Sequence, residues 1–153
     1  MIVIIIICIV LSALFSSSET AFASVNKIRL KSMADQGDKR ALKALHIAEH
    51  YEDSLTAILV GNNIVNIGAS SLATVVFTQW VGSAGPAVST VAMTILVLIF
   101  GEVLPKSYAK SHAEKLALSV ASALSAFTII MTPFVKIFDV LSRALKPKTE
   151  APS

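Results

Sequence analysis

The sequence predicts an all-α membrane protein: three transmembrane helices, a cytoplasmic helical hairpin and a juxtamembrane helix. Three observations carry that expectation. Hydrophobic residues make up 54% of the 153 residues and charged residues only 15%, whereas a water-facing domain carries about 25% charged residues. Long apolar runs recur along the chain. All 13 Lys and Arg residues fall in two stretches, 27–43 and 106–148, that flank those runs.

The first run, IVIIIICIVLSALF at 2–15, passes into Ser16, Ser17, Ser18, Glu19 and Thr20 and then AFASV. A span over about 2–25 is long enough for a hydrocarbon core of ~30 Å, which takes ~20 residues at 1.5 Å each. A signal peptide is the competing reading, but the run has no basic leader and a carboxylate follows it. Cys8 is the single cysteine, so no intrachain disulfide can form, and its apolar setting predicts a buried thiol.

Residues 26–52 change to amphipathic composition. Gly37 and Asp38 predict a turn and N-cap between two short helices. A second span is expected at about 53–80, ending on Trp80, a residue suited to a membrane interface. The uncharged VGSAGP at 81–86 is a turn, and a third span is expected at about 87–109, interrupted near Pro105.

The fourth apolar stretch, 116–134, is ambiguous by hydropathy. Loops rich in Lys and Arg stay cytoplasmic. Three spans leave both basic stretches on one side, while a fourth would place Lys136, Arg143, Lys146 and Lys148 outside. The expectation is therefore a juxtamembrane helix over about 113–145, an N-terminus outside and a C-terminus in the cytoplasm. Residues 1–145 form one transport domain, and 146–153 are a tail. Basic residues that flank apolar spans do not make a nucleic-acid platform.

Two carboxylates fall inside predicted spans, Glu19 and Glu102. An ionised carboxylate at bilayer depth costs at least ~2.5–3.5 kcal/mol, so such residues face a bundle interior or a watery cavity. Glu19 has the alternative of reaching the interface. At 100° per residue Ser12, Ser16 and Glu19 share one face of the first span, and Asn62, Asn66 and Ser70 share one face of the second. Pro105 removes the helical partner of the Gly101 carbonyl, beside Glu102. Lys106, four residues on, is the expected partner of Glu102 when no cation is present.

Hydroxyls, amide oxygens, a backbone carbonyl and one carboxylate are hard oxygen ligands. They suit Mg²⁺ or Ca²⁺ rather than zinc or copper. The competing reading makes Ser and Asn interhelical glue, with Gly61 and Gly68 permitting close packing; it leaves Glu102 unexplained. His46, Glu49 and His50 match the inverted zinc-protease pattern H-x-x-E-H. A catalytic zinc needs a third ligand and a cleft, and the only other histidine is His112, so the chain is read as a non-enzyme.

Three blocks, LSALFSSSETAFASVNKIRLK, ILVGNNIVNIGAS and LIFGEVLPKSYA, together resemble the membrane domain of the CorC/cyclin-M magnesium transporters, in order and spacing, over nearly all of 8–140. The resemblance implies a homodimer of three-span protomers that exports Mg²⁺, with Na⁺ as the candidate coupling ion. Carried over residue by residue, it implies an ion site at Ser12, Ser16, Gly61, Asn62, Asn66 and Glu102. The family continues into a paired nucleotide-binding module and a further small cytoplasmic domain. This chain stops at KPKTEAPS, so both are expected to be absent from it. Other readings stay open: a membrane anchor and dimerisation module for those domains, or a proton-coupled exporter using Glu19 and Glu102.

Overall fold

The computed structural model describes residues 1–145, and those residues are helical almost throughout, with no strand. The expected tail at 146–153 lies outside them. The helices are α1 (Ile2–Ser24), α2 (Lys27–Asp35), α3 (Lys39–Glu49), α4 (Tyr51–Val81), α5 (Gly85–Leu96), α6 (Leu104–Ser111), α7 (Ala113–Ile130) and α8 (Thr132–Leu145). A π-helical segment, Val97–Val103, joins α5 to α6.

Three stretches are long and apolar enough to cross a bilayer: Ile2–Ser24, Tyr51–Ser111 and Ala113–Ile130. At 61 residues the second would reach ~90 Å if straight, about three bilayer cores. It folds back instead. Gly82 takes φ 74°, which a residue with a side chain rarely adopts. A Cβ on Gly85 would overlap the Thr78 backbone, so α4 and α5 leave the turn in close contact. This hairpin covers the residues expected to form the second and third spans, 53–80 and 87–109. The outer faces are apolar and exposed, for example Ile2, Ile6, Val10 and Leu14 on α1 and Ile64 and Ile67 on α4, as lipid contact requires.

α2 and α3 form the predicted helical hairpin. Asp38 caps α3 through the N–H groups of Arg40 (2.9 Å) and Ala41 (3.2 Å), and Gly37 supplies the positive φ of the turn. Asn26 caps α2 in the same manner, which the sequence reading missed. The hairpin is held by its apolar side: Leu30, Ala44, Ile47 and Ala48 pack with Phe22, Ile58 and the α7 residues Ala117, Ala121 and Leu124.

One expectation needs correction. The segment 113–145 is two helices rather than one. The chain breaks at Met131, and Pro133, which lacks the N–H needed inside a helix, sits in the first turn of α8. α7 lies along α1 and α4 as well as α3, and on the α1 side the tilted rings of Phe127 and Phe15 have centroids 5.1 Å apart. Met131 at the break and Val135 of α8 pack against Ala57 of α4, and α8 leaves Phe134, Ile137, Phe138 and Leu141 exposed. The interruption expected near Pro105 lies within the third pass, whose helix runs on past the proline. The turn before it widens to the π form, and helix resumes to Ser111.

Candidate cation site

α1, α4 and the α5–π–α6 arm meet on small residues. Ser12 is fully buried at their junction. A Cβ on Gly101 would stand 2.9 Å from Ser12 Oγ and 3.4 Å from its Cβ, so the glycine is what lets the π segment lie against α1. From the same position Ser12 Oγ donates to Asn62 Oδ1 on α4 at 3.0 Å. Asn66, one turn on, donates its Nδ2 to the same oxygen at 3.4 Å. Both lone pairs of the Asn62 carbonyl are thereby engaged. Asn62 is the bridge between α1 and α4, and the bond from Asn66 turns that side chain's own oxygen away from Asn62.

Asn66 lines a cleft of about 430 Å³ between α4 and the α5–π arm. Glu102, half-buried, stands at one end of it. Ser70 and Thr74 continue the α4 wall, and Thr90 and Thr94 line the α5 wall. π turns concentrate at functional positions. Here the π turn carries the carboxylate into the cleft wall.

The carboxylate is not paired as expected. Among the described residues the one ion pair is Arg29 to Glu114 at 2.9 Å. Lys106 does not reach Glu102. The i,i+4 neighbour relation belongs to a turn of 3.6 residues, and Glu102 lies in a wider one. No three His, Cys, Asp or Glu side chains among the described residues cluster to hold a metal. A cation in this cleft would therefore meet Glu102 and neutral oxygens.

The cyclin M transmembrane N-terminal domain model matches residues 3–151. The chain belongs to the cyclin M transmembrane domain family. A UPF0053 protein of Haemophilus influenzae is 41% identical over 143 residues, covering 94% of this chain and 34% of the relative. The UPF0053 inner membrane protein YfjD of Escherichia coli is 39% identical over 135 residues, covering 88% and 32%. A polyamine export protein of Haemophilus influenzae is 29% identical over 144 residues, covering 86% and 33%. The chain spans about a third of the length of these curated relatives.

In this cyclin M domain the six residues expected at the site separate by position. Ser12, Asn62 and Asn66 are joined by hydrogen bonds, and Asn66 and Glu102 share the cleft. Ser16 is buried one turn along α1 from Ser12. Gly61 faces elsewhere: a Cβ there would meet the Phe15 ring at 2.7 Å and the Phe127 ring at 2.8 Å, so its side is a packing contact with α1 and α7. Glu19 is half-buried near the other end of α1, where its backbone carbonyl accepts from the Tyr51 hydroxyl at 2.8 Å. His46 and His50 are both exposed, with His50 Nδ1 2.9 Å from the His46 carbonyl. Sequence reasoning missed Thr74, Thr90 and Thr94. Their signal was the four-residue spacing that extends Ser70 to Thr74 and links Thr90 to Thr94.

Proposed function

We propose that this domain exports Mg²⁺ through the cleft between α4 and the α5–π–α6 arm, with Na⁺ as the candidate coupling ion. One observation carries the reading. A half-buried carboxylate, Glu102, lies on a π turn within an apolar stretch long enough to cross a bilayer and opens onto a cleft whose other polar groups are amide and hydroxyl oxygens. Mg²⁺ takes oxygen ligands, keeps several waters and binds through one or two carboxylates. A single carboxylate among neutral oxygens binds weakly enough to let the ion leave.

The proposed orientation places the N-terminus outside and the C-terminus in the cytoplasm, because the basic stretches then share one side. The α2–α3 hairpin is then cytoplasmic, and α7 and α8 are juxtamembrane, with the exposed apolar face of α8 on the membrane surface. The proposed assembly is a homodimer. Ser70, Thr90 and Thr94 are exposed on the open side of the cleft in a single chain, and hydroxyls at that depth call for a polar or protein cover.

A second substrate is favoured by one relative, named a polyamine export protein. A polyamine is also a cation, but its several ammonium groups ask for several acceptors spaced along its length. Calorimetric titration of the purified protein with Mg²⁺, Ca²⁺, Na⁺ and spermidine separates these readings. Saturable Mg²⁺ binding is expected. Tighter binding of spermidine selects the second substrate, and no binding of any cation selects a membrane anchor.

A further inference from the structure

The hydroxyls along the cleft extend beyond Glu102, and on the cation-transport reading above they have a part in it. Thr94 donates its hydroxyl proton to the Thr90 carbonyl at 2.6 Å, and Thr90 donates to the Pro86 carbonyl at 2.8 Å. On the facing helix Thr74 donates to the Ser70 carbonyl at 2.9 Å, and its Oγ1 lies 3.2 Å from Ser89 Oγ. Asn66 directs one of its two Nδ2 hydrogens to Asn62. A hydroxyl carries one donor and two acceptor lone pairs. Once the proton is bonded back to the preceding turn, only acceptor lone pairs are left for the cleft. Three threonines on two helices thus turn their protons into the backbone, and the hydroxyls of Ser70 and Ser89 join them along the cleft. Their oxygens line the space that leads from Glu102 toward the Gly82 turn.

We infer that Thr74, Thr90 and Thr94 present acceptor oxygens along a conduit that passes cations between Glu102 and the end of the bundle that carries the Gly82 turn. Thr90 and Glu102 are roughly 18 Å apart along the helix at ~1.5 Å per residue, so the conduit covers more than half of a hydrocarbon core of ~30 Å. It is also wide. Six waters at ~30 Å³ each occupy roughly 180 Å³, against a cleft of about 430 Å³. A cation therefore travels there with water around it, guided by oxygens rather than gripped by them, and is held only at the Glu102 end. In this division of labour the threonines set how fast a cation passes, while Glu102 and Asn66 set affinity.

Replacing these threonines by valine tests the conduit with little disturbance of the helix. The carbonyls that lose a hydroxyl still keep their helical N–H. The experiment uses the full chain in proteoliposomes, comparing Thr90→Val/Thr94→Val, Thr90→Ser/Thr94→Ser and Thr56→Val with wild type. Thr56 has the same back-bonded hydroxyl, donating to the Glu52 carbonyl at 3.0 Å, away from the cleft. Mg²⁺ flux and spermidine flux are both read, alongside Mg²⁺ and spermidine binding by calorimetry. The valine pair should lower flux roughly tenfold, the scale of one lost hydrogen bond to a charged group. Binding should stay within about threefold, the serine pair should restore flux, and Thr56→Val should match wild type. Wild-type flux in the valine pair overturns the conduit. So does a fall in flux and binding together that serine does not restore, because the threonines would then act through the fold. If wild type carries spermidine and not Mg²⁺, the Mg²⁺ reading fails, and the conduit stands or falls on the spermidine flux of the valine pair. If wild type carries neither cation, both readings fail.

Discussion

Gly101→Ala should weaken the cation site from behind, by pushing Ser12 off Asn62. The new Cβ would lie 2.9 Å from Ser12 Oγ, inside any ordinary carbon–oxygen contact. Ser12 is fully buried and cannot swing into solvent. Either α1 and the π segment separate, or the hydroxyl rotates and gives up its 3.0 Å bond to Asn62. Overpacking a filled junction costs about 1–3 kcal/mol, and the better helix propensity of alanine returns up to ~1 kcal/mol. The net loss is about 1–2 kcal/mol, or a melting temperature several degrees lower for a chain of this size at ~2–4 °C per kcal/mol. Thermal melts in detergent and Mg²⁺ titrations measure both consequences. Adding Ser12→Ala removes the clashing oxygen and leaves only the 3.4 Å approach to Ser12 Cβ. The double variant should regain most of the melting temperature and none of the Mg²⁺ affinity, a coupling that a double-mutant cycle isolates. A Gly101→Ala protein that melts and binds like wild type would refute the packing of Ser12 between the π segment and Asn62.

Asn66→Ala should weaken Mg²⁺ binding while size-exclusion chromatography shows the oligomer unchanged; intact binding, or a protein that falls apart, would instead make Asn66 interhelical glue. Single cysteines at Ser83 and Ser153 in a Cys8→Ala background should label from opposite sides of a sealed membrane, and labelling from one side contradicts the proposed topology. Arg29→Ala should cost less than about 1 kcal/mol in a denaturation experiment, because the Arg29 and Glu114 side chains are 68% and 34% exposed; a much larger loss would mean the pair does more than hold two surface helices.

Much of this architecture was legible because bilayers and turns constrain sequence strongly. Asp38 after Gly37 marked the α2–α3 turn, and VGSAGP marked the α4–α5 turn, since few residues suit those conformations. The polar faces were legible from helical spacing, which brought Ser12 to α4 and set Asn66 with Ser70. What could not be read was backbone phase. A proline near a glycine says that a ladder is disturbed, but not whether the helix ends or widens. The π turn that carries Glu102 and separates it from Lys106 has no side-chain signature. The division of Asn62 from Asn66 was equally hidden. Two asparagines four apart share a face, yet only the position of Ser12 makes one a bridge and leaves the other in the cleft. The break at Met131 follows from Pro133, but apolar composition runs straight through it.

The account rests on Glu102, and Mg²⁺ flux in vesicles at equal protein density tests it most directly. Glu102→Gln keeps the size of the side chain and removes its charge, so the variant should fold and assemble as wild type. The account predicts that its Mg²⁺ flux is abolished. Glu102→Asp, with a shorter reach to an ion that demands near-ideal octahedral geometry at ~2.0–2.1 Å, should be partly or wholly inactive. Equal flux in wild type and Glu102→Gln would contradict the assignment and leave the cleft without its central ligand.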